Sequence, residues 1–137
     1  MNNCIFCKII NHEIPATVLY EDETALVIMD IGPIVEGHAL VIPKIHFEQL
    51  TDLPDDQVAH LHQVAKKIAQ AQQRALQATG INILQNNGVA AGQEVPHFHI
   101  HVIPRFDDDA HHWNWNPKTY DSLDTMISIA NKIKPHL

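Results

Sequence analysis

An α+β fold is what this amino-acid sequence predicts: one five-stranded antiparallel sheet, a long helix and a C-terminal helix, with helices packed on one sheet face. Three observations lead there. Short apolar runs bounded by Gly and Pro fill the chain as far as Pro43 and return after Gly80. Between Thr51 and Thr79 the apolar period lengthens to three and four residues, the spacing of one helix face. The same period returns just before Pro135.

Each element has its own signal. Cys4 to His12, CIFCKIINH, reads as a short helix or turn ahead of Pro15. Thr17 to Glu21 reads as a strand, with Glu21-Asp22-Glu23 as the turn after it. Ala25 to Asp30 is a second strand, stopped by Gly32-Pro33. His38 to Ile42 is a third, opened by Gly37 and closed by Pro43, and the three suit an antiparallel meander. The long helix carries Val58, Leu61, Val64, Ala65, Ile68 and Leu76 on its apolar face, with Lys66, Lys67, Gln70 and Gln73 between them. Thr51 or Asp52 is its expected N-cap, Pro54 suits its first turn, and Gly80 is its expected stop. Ile81 to Gln85 is a fourth strand, and Asn86 to Gly92 a loop. Residues 97 to 103 form a fifth strand, ended by Pro104. After a polar loop with Asp107-Asp108-Asp109, the positions Leu123, Met126, Ile127, Ala130 and Ile133 mark the last helix.

The 137 residues suit a single domain, 1–137, without repeat or linker. Nine Lys and Arg against sixteen Asp and Glu give a net charge of −7. That balance argues against a nucleic-acid binder, which shows a basic footprint, and against an electrostatic membrane binder. No apolar run reaches the roughly 18 residues of a membrane span. The N-terminal Met1-Asn2-Asn3-Cys4 lacks a basic region and an apolar core, so no signal peptide is expected and the expected location is cytoplasmic. Eleven histidines exceed Lys and Arg together. Their placement carries more information than their number.

His97-Phe98-His99-Ile100-His101-Val102 alternates with period two. In a strand, Phe98, Ile100 and Val102 share one face, while His97, His99 and His101 share the other, about 7 Å apart. A half-exposed polar face is the plain alternative. Three imidazoles in line beside a glycine-containing loop suggest a metal site or phosphate chemistry, in which an imidazole nitrogen attacks phosphorus and its neighbours stabilise charge. Cys4 and Cys7 form Cys-x-x-Cys, which in a reducing compartment reads as zinc ligation or redox chemistry, or as two buried thiols. No thioredoxin-like strand–helix pattern surrounds the pair, and a closed zinc site needs two further ligands from elsewhere.

The run resembles the histidine-triad (HIT) motif, His-φ-His-φ-His-φ-φ with φ apolar. Residues 86 to 95 look like the loop that leads into that motif. CKIINHEIP near the N-terminus, Met29-Asp30-Ile31, and Gly37-His38 before Leu40-Val41-Ile42-Pro43-Lys44 resemble its upstream blocks. The likeness spans residues 4 to 105 in order, is looser in the last thirty residues, and is nearest to Hint-like bacterial nucleotide-binding hydrolases.

The resemblance implies a HIT-like fold and a nucleotidyl hydrolase of the nucleoside phosphoramidase type, cleaving AMP conjugates at the α-phosphate. His99 would be the nucleophile and form a nucleotidyl-histidine. His101 and His38 would hydrogen-bond phosphate oxygens, helped by the Val95 N–H, with Asn86 at the phosphate end. Asp30 would accept from the ribose hydroxyls. Phe6, Ile9, Ile28 and Ile31 would enclose a purine base, each with a core role as its alternative. Glu94 departs from the pattern, since many relatives carry Ser or Thr there. It is either an exposed loop carboxylate or, when protonated, a general acid, and it leaves leaving-group preference open.

The hexose-1-phosphate uridylyltransferase branch of the superfamily implies a structural zinc held by Cys4, Cys7, His46 and His97. The family is typically a homodimer, and Ala59, Ala65 and Ala69 on the long helix suit close packing. His60 and His62 are expected to face solvent, His12 and His136 to lie on the surface, and the loop with His111, His112, Trp113 and Trp115 to cover the site or a subunit contact. Three alternatives stand beside the phosphoramidase: a dinucleoside polyphosphate hydrolase, a nucleotide-binding or scaffolding protein with incidental hydrolysis, and a metal-binding module using all three triad histidines.

Overall fold

A computed structural model describes residues 3–137. Helix α1 (Ile5–Ile10) precedes strands β1 (Val18–Glu21), β2 (Ala25–Met29) and β3 (Ala39–Pro43). Helix α2 (Asp55–Leu76), strands β4 (Gly80–Leu84) and β5 (Ile100–Arg105), and helix α3 (Leu123–Ile133) follow. The five strands pair antiparallel in the order β1-β2-β3-β5-β4. The expected meander therefore holds only for the first three. After β3 the chain crosses the sheet as α2, returns at the far edge as β4, and inserts β5 between β3 and β4. That insertion sets Leu40 opposite His101 and Ala39 opposite Val102.

The sheet is apolar on both faces, which is why β2 and β3 read as continuous apolar runs. Ala25, Val27, Ala39, Val41, Ile100 and Val102 pack with Leu61, Val64, Ala65 and Ile68 of α2. Leu26, Ile28, Leu40 and Ile42 turn the other way, against Phe6 of α1. Burying a side chain such as Leu61 or Ile42 contributes about 1.5–3 kcal/mol. The expectation that the helices share one sheet face is thus corrected. A two-sided apolar sheet needs a second cover, and α1 supplies it. Helix α3 lies on neither face, and its Leu123, Met126, Ile127 and Ile133 remain exposed. Ala65 is buried in this chain's own core and Ala69 packs against it, so neither is free for a partner helix. Among the described residues, no helix is long and apolar enough to cross a membrane.

Three boundaries differ from expectation. Leu50–Asp52 forms a separate 3-10 turn, in which Asp52 accepts from the Gln49 N–H at 3.1 Å, so neither Thr51 nor Asp52 caps α2. Pro54 stands at the N-cap in extended conformation, followed by Asp55 and Asp56, whose charges suit the positive helix end. Gln77, at φ 56°, ends α2, and Gly80 opens β4. The third boundary concerns β5, which begins at Ile100 because the Phe98 N–H donates to the Phe47 carbonyl at 2.6 Å, outside the sheet ladder. The strand runs through Pro104, which lies beyond the last β3 pair and so needs no N–H for it.

Candidate functional site

Beside α1 and the β3–β5 junction lies a cavity of about 480 Å³. Phe6, Ile9, Ile28 and Ile31 line it, as do Asp30, Asn86, Glu94 and Val95, and so do His38, His99 and His101. Phe6 and Ile28 also belong to the core beneath α1, so their pocket and packing roles coexist. Ile31 is 98% exposed and stands at the rim. The volume suits a small-molecule site.

The triad histidines do not point to one place. His97 and His99 are buried because α1 covers them, with the Phe6 ring edge-on to both. His97 Nε2–H donates to the Pro43 carbonyl at 2.9 Å, which leaves Nδ1 bare. His99 Nδ1–H donates to the His97 carbonyl at 2.7 Å, which leaves Nε2 as the lone-pair nitrogen. His38 Nδ1 accepts the Ile34 N–H at 3.1 Å, so its Nε2 holds the proton and donates to His101 Nδ1 at 2.9 Å. His101 is then left with its proton on Nε2. The backbone therefore sets three tautomers directly and the fourth through His38.

His38 was expected to touch phosphate. It is 2% exposed and both its ring nitrogens are engaged, so it supports His101 instead. Asp30 Oδ2 lies 3.5 Å from His38 Nε2, and Asp30 Oδ1 accepts the Gly32 N–H at 2.8 Å. The separation of duties also excludes one metal held by all three triad histidines.

Burial sets the protonation state. It lowers His97 and His101 to about 4, with neighbouring imidazoles adding to the shift. It lowers His38 and His99 as well. At His99, the His97 carbonyl and the charges of Asp30 and Glu94 oppose burial. Near neutral pH all four rings are uncharged.

The loop before the triad is pinned from beneath. Gly88 and Gly92 take positive φ, 84° and 89°, around a short 3-10 turn. Buried Gln93 accepts the Gly88 N–H at 2.7 Å and donates to the Glu48 carbonyl at 2.7 Å. Asn87 accepts the Leu50 N–H at 2.7 Å. Gln72 of α2 donates to the Gly37 and Val102 carbonyls, fastening the helix to the β3–β5 junction behind His38 and His101. None of these three side chains was singled out from the sequence. Gln72 had the clearest signal, a polar residue four positions after Ile68 on the apolar face.

Cys4, Cys7, His46 and His97 converge, with their ligand atoms within 4.8 Å of one another. Cys4 Sγ lies 3.3 Å from His97 Nδ1, Cys7 Sγ 3.3 Å from His46 Nδ1, and Cys7 Sγ 3.6 Å from His97 Nδ1. Tetrahedral zinc with ordinary Zn–S and Zn–N bonds sets sulfur and nitrogen about 3.6 Å apart. The donor set fits the ion, and the bond from His97 Nε2 to Pro43 supplies the outer contact that orients a ligating imidazole.

Other histidines lie elsewhere. His60 is not simply solvent-facing: its Nε2 sits 2.7 Å from Asp22 Oδ2, which also accepts from Tyr20. His62, His12 and His136 are exposed. His111 lies edge-on to Trp113, whose indole N–H shares the Asn82 oxygen with Arg105, so that loop is fastened to β4 and not to the cavity.

A profile of the HIT domain matches residues 11–108. The adenosine 5'-monophosphoramidase of Saccharomyces cerevisiae is 46% identical over 105 residues, 77% of this chain and 64% of the yeast protein. A crystal structure of a HIT family member from Bacillus subtilis superposes with TM-score 0.91 at 39% identity, covering 98% of this chain and 97% of that one. A Zn-bound histidine triad family protein from Mycobacterium smegmatis superposes with TM-score 0.78 at 39% identity, covering 99% of each chain. By sequence match and by superposition over nearly its whole length, this chain belongs to the histidine-triad (HIT) family.

Proposed function

We propose that this protein is a nucleotidyl hydrolase that cleaves AMP conjugates of the phosphoramidate type through a nucleotidyl-histidine on His99. The observation that carries this reading is the 2.7 Å bond from His99 Nδ1–H to the His97 carbonyl, which leaves a bare Nε2 on the cavity wall. An uncharged imidazole with a fixed tautomer is a competent nucleophile near neutral pH. The yeast relative's name, adenosine 5'-monophosphoramidase, supports the substrate class.

His99 Nε2 attacks the α-phosphorus. The P–N bond breaks as the Nε2–P bond forms, and the departing amine takes a proton from water. A second water then attacks phosphorus, breaks the Nε2–P bond, releases AMP and its own proton, and restores His99. His101 Nε2–H donates to a phosphate oxygen, where charge builds up in both steps. His38 holds His101 in the donating tautomer and is a positioning residue. The Val95 N–H and Asn86 bind the phosphate end. Asp30 takes the ribose hydroxyls, and Phe6, Ile9, Ile28 and Ile31 enclose the purine.

Cys4, Cys7, His46 and His97 would hold a structural zinc. With all four donors supplied by the protein, the ion would serve to tie α1 to the segment that presents His99 and not to bind substrate. Neither cysteine is in a disulfide, which leaves both available as thiolate ligands. The resemblance to the family implies a homodimer as the working form. Light scattering that gave 15.4 kDa in solution would overturn that part.

The test is AMP release from adenosine 5'-phosphoramidate by wild type and His99→Ala side by side. Release by wild type alone is expected. No release by wild type with AMP still bound would favour a nucleotide-binding module.

A further inference from the structure

Among the described residues the cavity wall carries two carboxylates, Asp30 and Glu94, and no lysine or arginine. That is an unusual wall for a site that holds a phosphate, because phosphate sites ordinarily gather guanidinium or ammonium groups. The two acids are not equivalent. Asp30 is occupied by the Gly32 N–H and lies near His38. Glu94 is exposed, and among the described residues it makes no ion pair.

Its position is built by its neighbours. Gly92 turns the chain at φ 89°, and the next residue, Gln93, is clamped inward by its two bonds to Gly88 and Glu48. Gln93 is buried while Glu94, the next residue, is exposed and lines the cavity. Glu94 lines the same cavity as His99, the ring that would carry the nucleotide.

A carboxylate held here cannot serve the α-phosphate, which it repels. It can serve the other half of the substrate. We propose that Glu94 is a specificity determinant that selects AMP conjugates whose leaving group carries a positive charge and disfavours those whose leaving group is anionic. This rests on the hydrolase reading above and names the leaving-group class that reading left open. An amine bearing a second, distal ammonium finds a counter-charge at Glu94. A polyphosphate, sulfate or carboxylate arm meets Glu94 with no cation on the wall to offset it. Single charge contacts at partly exposed sites are modest, but attraction of one class and repulsion of the other act on the same ratio.

The test uses three AMP phosphoramidates with the same P–N bond and a five-carbon arm, ending in ammonium, hydroxyl or carboxylate. Wild type, Glu94→Gln and Glu94→Lys are compared by kcat/KM on each. Wild type should prefer the ammonium arm over the hydroxyl and the hydroxyl over the carboxylate. Glu94→Gln should shrink the ammonium-to-carboxylate ratio by roughly tenfold, and Glu94→Lys should reverse the order. High salt should compress the wild-type ratio towards one. A ratio that is the same in wild type and Glu94→Gln overturns the inference, whatever the absolute rates. If wild type cleaves none of the three, the hydrolase reading fails, and Kd values for the same conjugates decide the inference separately. A wild-type preference for the ammonium arm that Glu94→Gln abolishes would then uphold it, and equal Kd ratios would overturn it.

Discussion

Replacing Gly37 by alanine tests how the fold holds the turn that leads into His38. Gly37 precedes His38 and has φ +101°, where a Cβ is strained whatever the space. The space is also taken: an added Cβ would lie 2.7 Å from Leu76 Cδ1 and 3.0 Å from Pro104 Cγ. The first contact is with a side-chain end that can shift, while the second is with a ring fixed in β5. A sparsely populated backbone conformation costs about 1–3 kcal/mol, and overpacking a filled site costs about 1–3 kcal/mol more. A loss on the order of 4 kcal/mol corresponds to a melting-temperature drop of roughly 10–15 °C for a domain of this length. Gly37 also accepts from Gln72, so relaxation of the turn would move His38 and lower turnover along with stability. Calorimetry of Gly37→Ala beside Gly32→Ala is the assay. An added Cβ at Gly32 meets only Asp30 Oδ1, at 3.9 Å, and the backbone there needs no glycine. A Gly37→Ala drop no larger than that of Gly32→Ala would refute the reasoning, because the wall formed by Leu76 and Pro104 would then be soft.

The remaining predictions concern the histidines and thiols. His38→Ala should cut kcat about 10- to 100-fold with little change in KM, since it removes the donor that fixes His101. His38→Gln, whose amide can donate, should recover part of that loss, and steady-state kinetics of both variants is the check. Stability should fall as pH drops from about 6.5 towards 4. In that window the unfolded chain protonates histidines that burial keeps neutral in the fold, His101 down to about 4 and His38 and His99 in the same direction. Their contribution is therefore complete above the unfolded value and is lost on acidification, so equal urea midpoints at pH 7.5 and 5 would contradict it. Elemental analysis should find about one zinc per chain in the wild type and well under half of that in Cys7→Ser, with a lower melting temperature. Full zinc content in Cys7→Ser would remove Cys7 from the ligand set.

The element types and their order were legible in the sequence because hydrophobic period is a local property. Val58, Leu61, Val64, Ala65 and Ile68 mark α2 whatever they pack against, whereas the cover on the second sheet face was missed, although the continuous apolar runs of β2 and β3 carried the signal for it. The alternation from His97 to Val102, with the blocks around Asp30, His38 and Asn86, identified the family, and Asp30, His38, Asn86, His99 and His101 line one cavity. Caps were less legible. Pro54 displaced Thr51 and Asp52 because its ring fixes φ while its ψ stays extended, and Gln77 stopped α2 in a left-handed conformation that glycine was expected to supply.

What only the tertiary structure decided is which group each histidine faces. An imidazole's role depends on the group facing each nitrogen, and those groups are remote in the chain. Pro43, 54 residues from His97, fixes its tautomer, and Cys4, 93 residues away, meets its free nitrogen. His38, 63 residues from His101, takes the place expected for phosphate. Three side chains that period two makes equivalent are thus divided among a thiol cluster, a cavity wall and a hydrogen-bond relay, because strand alternation sets a face and only the partners across that face set a function.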